Sequence, residues 1–232
     1  MKSFMVLSYF CAWSVFALDP KENVVNTKHC DRHGVSLYEK LWKNNMDIAR
    51  DTMKTDFLKR MEAGTLEAER YINFTLQDIY YLEEVTKLLQ KLSKEDELRE
   101  DLKSFIMGRY NSYSSFEKYS LQMYQLKNTS AIIPSPTIAN YIQSYKAISE
   151  DDHVYFAIAL LPCSKLWPYV AQNLKISKKS PYYPFKKNNV EDNSKKHYEN
   201  LLEKYRCNID ESKAQSLFRL QMAHEREFFS TS

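Results

Sequence analysis

Helix breakers are nearly absent from the first half of this chain, and that scarcity leaves room for little except long helices. Gly34, Gly64 and Gly108 are its three glycines, and apart from Pro20 every proline falls between positions 134 and 184. Tight turns and strand corners draw on such residues for their special backbone angles, so a chain without them reads as uninterrupted helix. Apolar residues recur with a 3.6-residue period rather than in alternation, which predicts helices near 36–62, 66–92 and 95–126. In the first, Leu37, Leu41, Met46, Ile48, Met53 and Leu58 trace one stripe. Gly64 suits its end and Leu66 opens the next helix. Ser93 is the expected N-cap of the third, with Glu95, Asp96 and Glu97 at its positive end. Pro134-Ser135-Pro136-Thr137 starts a helix through about Ala147, and Ser149 is expected to cap another through about Leu174. Residues 175–192 read as a connector, followed by two shorter helices. No internal repeat is evident, and the expectation is a single all-α domain.

The N-terminal stretch reads as an address rather than as fold. Lys2 supplies a positive start, Phe4 to Phe16 an apolar core, and Val15-Phe16-Ala17 a cleavage site. A signal peptide over 1–17, cleavage after Ala17, secretion and a mature domain over 18–232 are therefore expected. No later segment reaches ~18 consecutive apolar residues, so no membrane partner is expected. The formal net charge of +3 falls to +2 without Lys2, too little to imply a polyanion, and no nucleic-acid module is present. The lysines between 175 and 196 read as a solvated surface.

Cysteine usage agrees with secretion. Cys11 leaves with the signal, so Cys30, Cys163 and Cys207 remain as an odd set. Cys30 and Cys207 sit in polar surroundings near the two ends, and their pairing leaves Cys163 reduced. That disulfide would close most of the domain into one loop and stabilise it by roughly 4 to 5 kcal/mol. Asn73 and Asn128 begin glycosylation triplets, Asn128 in an expected loop and Asn73 within a helix. His29-Cys30-Asp31-Arg32-His33 lacks a second ligand cluster, so no metal is expected.

Two segments point to chemistry. The apolar run Val154–Leu161 leads into Pro162-Cys163, and an interior proline costs about 3 kcal/mol in an ordinary helix. Leu76-Gln77-Asp78-Ile79-Tyr80-Tyr81 places an acid and two phenols in another apolar helix. Asp78 and Tyr81 share a face at i, i+3, as do Cys163 and Trp167 at i, i+4. With Tyr141 and Glu225 on two further helices, one cavity would hold a thiol, two carboxylates, two phenols and an indole. That set suits a flat aminopyrimidine, with aromatic walls, carboxylates for its nitrogens and a thiol for attack. A bland reading stands beside this one, in which Cys163 is core packing, Tyr81 and Tyr141 are core filler, and Glu225 is a solvated residue.

Gly64-Thr65-Leu66, Leu76-Gln77-Asp78 with Tyr81, Pro134-Ser135-Pro136-Thr137, Leu161-Pro162-Cys163, and Glu225 before Phe228-Phe229 occur in that order. Taken together, from about Leu37 to Phe229, they resemble the TenA (thiaminase II) family of the haem-oxygenase-like helical fold. The resemblance implies no haem or other cofactor. It implies Cys163 as nucleophile, Glu225 as acid/base, Asp78 as anchor of the aminopyrimidine edge, and Tyr81 and Tyr141 as orienting groups. Two departures are visible against the family pattern. Trp167 stands where hydrolytic members carry a tyrosine, and a second family tyrosine falls near Val190. The implied activity is a secreted thiaminase-like hydrolase, or transferase variant, acting on thiamin or its aminopyrimidine breakdown products. Two alternatives are a non-catalytic secreted protein of the same fold that binds a pyrimidine or other small aromatic, and an extracellular signalling or defence protein. Family members are often tetramers, so the resemblance leaves a homo-oligomer open, one that glycans and the short C-terminus could prevent.

Overall fold

The computed structural model describes residues 34–96 and 98–232. The signal segment with its cleavage site, Cys30 and its pairing with Cys207, the His29–His33 motif and Glu97 lie outside the described residues. Ten α-helices follow one another: α1 (Leu37–Lys43), α2 (Met46–Thr52), α3 (Asp56–Ala63), α4 (Ala68–Leu92), α5 (Glu100–Met123), α6 (Pro136–Ser149), α7 (His153–Asn173), α8 (Tyr183–Asn189), α9 (Ser194–Tyr205) and α10 (Glu211–Thr231). A short 3₁₀ turn, Arg206–Asn208, joins the last two and carries the exposed Cys207. No strand is found among the described residues, and the all-α expectation holds.

α7 is the axis of the bundle. Its first half, Val154 to Pro162, is buried all round, the signature of a helix with neighbours on every side. α10, α9, α6 and α8 pack against it, and α4 pairs with α5 and α6. By length and composition α7 could also cross a membrane, but 72% of its apolar window is buried inside the fold. Pro162 and Pro168 lie within its continuous helical span, so neither breaks it. α4 shows the stripe pattern its sequence predicts: Phe74, Tyr81, Val85, Leu89 and Leu92 recur at helical spacing and face the core.

Several boundaries differ from the sequence expectation, each for a local reason. The helix expected over 36–62 is three. Asn45 sends its side-chain amide to the Leu41 carbonyl (2.8 Å) at the first break. At the second, Thr52 bonds the Ile48 carbonyl (2.9 Å) and Thr55 takes extended angles before α3. Asn and Thr compete with the backbone ladder in this way, which apolar spacing does not register. Gly64 ends α3 in the left-handed region at φ 72°, as expected. Ser93 does not open α5; its hydroxyl closes α4 on the Gln90 carbonyl (2.9 Å), and α5 starts at Glu100. Ser149 ends α6, and Asp152 caps α7 by accepting from the Val154 amide (3.1 Å). The expected connector contains α8, and α10, expected as one of two shorter helices, spans 21 residues, as many as α7.

Candidate functional site

Gln77 sets the geometry of the site. Its amide nitrogen donates to the Ile133 carbonyl (2.9 Å), and its oxygen accepts from the Ser135 amide (2.8 Å). This fork fixes the start of α6 on α4. Ser135 then caps α6 by accepting from the Ile138 amide (3.3 Å), with Pro136 in the first turn. Tyr141 consequently stacks on Tyr81, with ring centroids 5.0 Å apart. On the far side, Tyr182 bonds the Leu66 carbonyl and Lys186 the Leu174 carbonyl, seating α8 beside α7.

Asp78, Tyr81, Cys163 and Trp167 meet on one cleft of about 250 Å³, as their shared faces predict. Tyr141 and Glu225 stand behind it, each 1% exposed, and do not line it. The Glu225 carboxylate is held from both sides. Tyr141 donates its hydroxyl to Oε1 (2.7 Å), and the Trp167 indole donates to Oε2 (2.9 Å). The bland reading of Glu225 as a solvated residue is therefore wrong. Trp167 takes part in two structures at once, since it also stacks on Phe74 (5.8 Å) and packs on Phe229 (5.3 Å). Trp167→Phe keeps much of that aromatic wall and removes one donor to a buried carboxylate. A loss of about 2 kcal/mol in thermal or urea unfolding is expected from it.

Two residues missed in the sequence belong to this cluster. Tyr145, one turn after Tyr141, is fully buried with its hydroxyl 3.1 Å from Tyr81 Oη and 3.0 Å from Tyr141 Oη. It also reaches the Ala159 carbonyl (3.3 Å) on α7, one turn before Cys163. Because Tyr141 donates to Glu225 and Tyr145 has one proton to give, the hydroxyls align as Tyr81 to Tyr145 to Tyr141 to Glu225 only when Tyr145 turns from the Ala159 carbonyl to Tyr141. The i, i+4 repeat of tyrosine in α6 was the available signal. Tyr113, from α5, lines the cleft beside Cys163; the polar surface of α5 gave no sign of it. α8 and the residues after it also supply Asn188, Asn189 and Glu191 to the wall. Val190, between them, points its exposed side chain elsewhere.

Electrostatics follow from burial. Loss of solvent pushes the Asp78 carboxyl up to about 8, with the charge of Glu225 adding to it. Asp78 makes no hydrogen bond among the described residues, so its carboxyl faces the cleft uncommitted. Cys163 is a free thiol, and burial raises it well above its ordinary range; Glu225 and Asp78 add to the rise while Tyr113 and Tyr81 partly offset it. Glu225 is raised by burial and brought back toward its usual range by Tyr141, Trp167 and Cys163. The cleft thus holds a protonated thiol and a carboxyl poised near neutrality, with the buried Glu225 carboxylate behind it in hydrogen-bond reach of the thiol. That combination can hold a flat nitrogen heterocycle and move a proton from sulfur to carboxylate.

The comparisons with known proteins agree with one another. The model of the TENA/THI-4/PQQC family matches residues 42–231. A thiamine biosynthesis multifunctional protein, ThiED, from Corynebacterium efficiens is 26% identical over 150 residues, 62% of this chain. The match spans 20% of that longer protein. Among solved structures, the fold matches a TenA homologue from P. horikoshii OT3 with TM-score 0.70 at 18% identity, covering 85% of this chain and 98% of that one. A TenA homologue from Pyrococcus furiosus gives 0.69 at 17%, covering 83% and 98%. A TenA family transcription regulator from Silicibacter sp. TM1040 gives 0.72 at 13%, covering 84% and 95%.

Proposed function

This chain belongs to the TENA/THI-4/PQQC family, and from that premise we propose that it is a thiaminase-like hydrolase acting on thiamin or its aminopyrimidine breakdown products. The observation that carries the reading is the convergence of Cys163 and Asp78 on one cleft, with Glu225 held behind it by Tyr141 and Trp167. Asp78 takes the ring nitrogen and exocyclic amine of the pyrimidine. Those groups supply the hydrogen bonds that its carboxyl lacks in the fold.

Cys163 gives its proton to Glu225, and Sγ adds to a ring carbon. For an amine leaving group, the bond to the methylene then breaks with the departing nitrogen protonated by Glu225. Water adds to the methylene carbon and returns a proton to Glu225. The Sγ–carbon bond then breaks and the thiol is reprotonated, so the net change is exchange of the leaving group for hydroxyl. Tyr81 and Tyr141 orient the ring and the carboxylate. A transferase variant replaces water with an amine or thiol.

The experiment is mass spectrometry of the purified protein incubated with thiamin and with aminomethyl-aminopyrimidine. Release of hydroxymethylpyrimidine, or a covalent pyrimidine adduct, is the expected result. Unchanged substrates, with and without added amine or thiol acceptors, would overturn it. One observation favours a second reading: Trp167 stands between Glu225 and the wider aromatic cluster, and Glu225 does not line the cleft. Under that reading the protein binds the pyrimidine without turning it over, and ligand raises the melting temperature while no product forms. Secretion is part of the proposal, and Asn128, exposed in its loop, is the better glycan acceptor. N-terminal sequencing of exported protein should begin at Leu18; retention of Met1 in the purified native protein would sink it.

A further inference from the structure

The cleft continues past Asp78 into a second chamber of about 80 Å³ between α4, α5 and α8. The two chambers share Asp78, Phe116, Trp167, Asn188 and Asn189. Phe74, Tyr71 and Tyr124 give the inner chamber aromatic walls. Lys and Arg outnumber Asp and Glu in this sequence, 33 to 30, yet among the described residues no Lys, Arg or His lines either chamber. The described residues bring two acids to them and no base. Asp78 sits at the junction, and Glu191 lies on the exposed rim with no ion pair among the described residues. Two lysines close in sequence to cleft residues are bound elsewhere. Lys165, beside Ser164, reaches Tyr38 (2.6 Å) and Asp192 (3.1 Å), and Lys186 ends on the Leu174 carbonyl.

We propose that this double cleft selects unphosphorylated, positively charged aromatic ligands and rejects their phosphate esters. The inference deepens the reading above by naming the form of the substrate it admits. A cationic ring gains from the aromatic faces, from Glu191, and from Asp78 once the ligand has drawn off its proton. Among the described residues a phosphate finds no counter-cation in either chamber. It would have to lie beside the like charge of Glu191 or be buried unpaired beside Asp78, and both placements are strongly disfavoured.

Two ligand pairs separate this inference from the reading it rests on. The first is thiamin against thiamin monophosphate; the second is benzylamine against benzyl phosphate, which contains no pyrimidine. Affinities are measured by calorimetry on the full mature chain and on Glu191→Lys, whose altered side chain is exposed. The cationic member of each pair is expected to bind on the order of 100-fold more tightly. Glu191→Lys should narrow that ratio by about tenfold, by placing a cation where the ester's charge must go. Phosphate esters binding within threefold of the free forms, or a ratio unmoved by Glu191→Lys, would overturn the proposal. If the benzyl pair shows the preference while thiamin does not bind at all, the charge selection stands and the thiamin reading fails. If neither pair discriminates, the charge selection fails whatever thiamin does.

Discussion

Cys163→Ser is expected to lower turnover by about 10³-fold or more while leaving the melting temperature within a few degrees of the parent. The substitution keeps a polar atom of similar size at the end of the buried run, and the site is only partly buried. Its packing cost is therefore small, about 1 kcal/mol. The chemical cost is large because a serine hydroxyl is a far weaker nucleophile and a far weaker acid than a thiol, so Glu225 draws off its proton much less readily. Burial already raises the thiol well above its ordinary range, with Glu225 and Asp78 adding to the rise. The same surroundings predict slow reaction of Cys163 with iodoacetamide at neutral pH, slower still with ligand bound. Single-turnover kinetics, with melting curves of both proteins, checks the pair of expectations. Equal turnover in the serine variant would remove Cys163 from the mechanism and leave it a packing residue.

The parts of this site that the sequence made legible share one property: they lie on a single helix face. Asp78 with Tyr81, and Cys163 with Trp167, are spaced so that any helix carries them together, and both pairs do line one cleft. Glu225 and Tyr141 were recognised as members of the cluster, but their depth was not readable. That depth depends on how α10 and α6 rotate against α7, which Gln77 and the Ser135 cap help to set. Tyr145 was one helical turn from a residue already in view, and its spacing was the usable signal. Tyr113 and Asn188 had none, because α5 is largely polar and α8 lies in a lysine- and proline-rich stretch that reads as a connector. The breaks at Asn45 and Thr55 were invisible for a related reason. Asn45 and Thr52 bond the backbone with their side chains and Thr55 takes extended angles, which ends helices there without any glycine or proline and without disturbing the apolar stripe. The long core helices were readable because their burial repeats with the helix period over many turns, as in α4.

Asp78→Asn is expected to make the protein more stable and nearly unable to bind its ligand. In the unfolded chain this carboxyl titrates near 3.8, whereas in the fold burial and Glu225 carry it to about 8. Between those values the folded state keeps a proton that the unfolded state has released. Stability therefore falls as pH rises through this window, and the loss is complete only above about 8. The asparagine has no charge to desolvate, so its stability should lack this contribution. At pH 8 the variant should exceed the parent by on the order of 2 kcal/mol in urea unfolding, with the gap shrinking toward pH 4. Comparing parent and variant isolates Asp78 from other groups that titrate in the same range, including Glu225 and Glu117, both raised by burial. The gain should come with a loss of affinity of about 100-fold or more, because an amide cannot take the charge of an aminopyrimidine edge. Binding to the parent carries a matching signature. A ligand that prefers the ionised carboxylate must expel its proton near pH 7, so the apparent binding enthalpy should vary with the ionisation enthalpy of the buffer. Asp78→Asn should abolish that variation. A variant that binds normally, or a parent that releases no proton, would show that Asp78 does not anchor the ligand. A gain in stability without loss of binding would leave Asp78 a desolvated acid with no place in recognition.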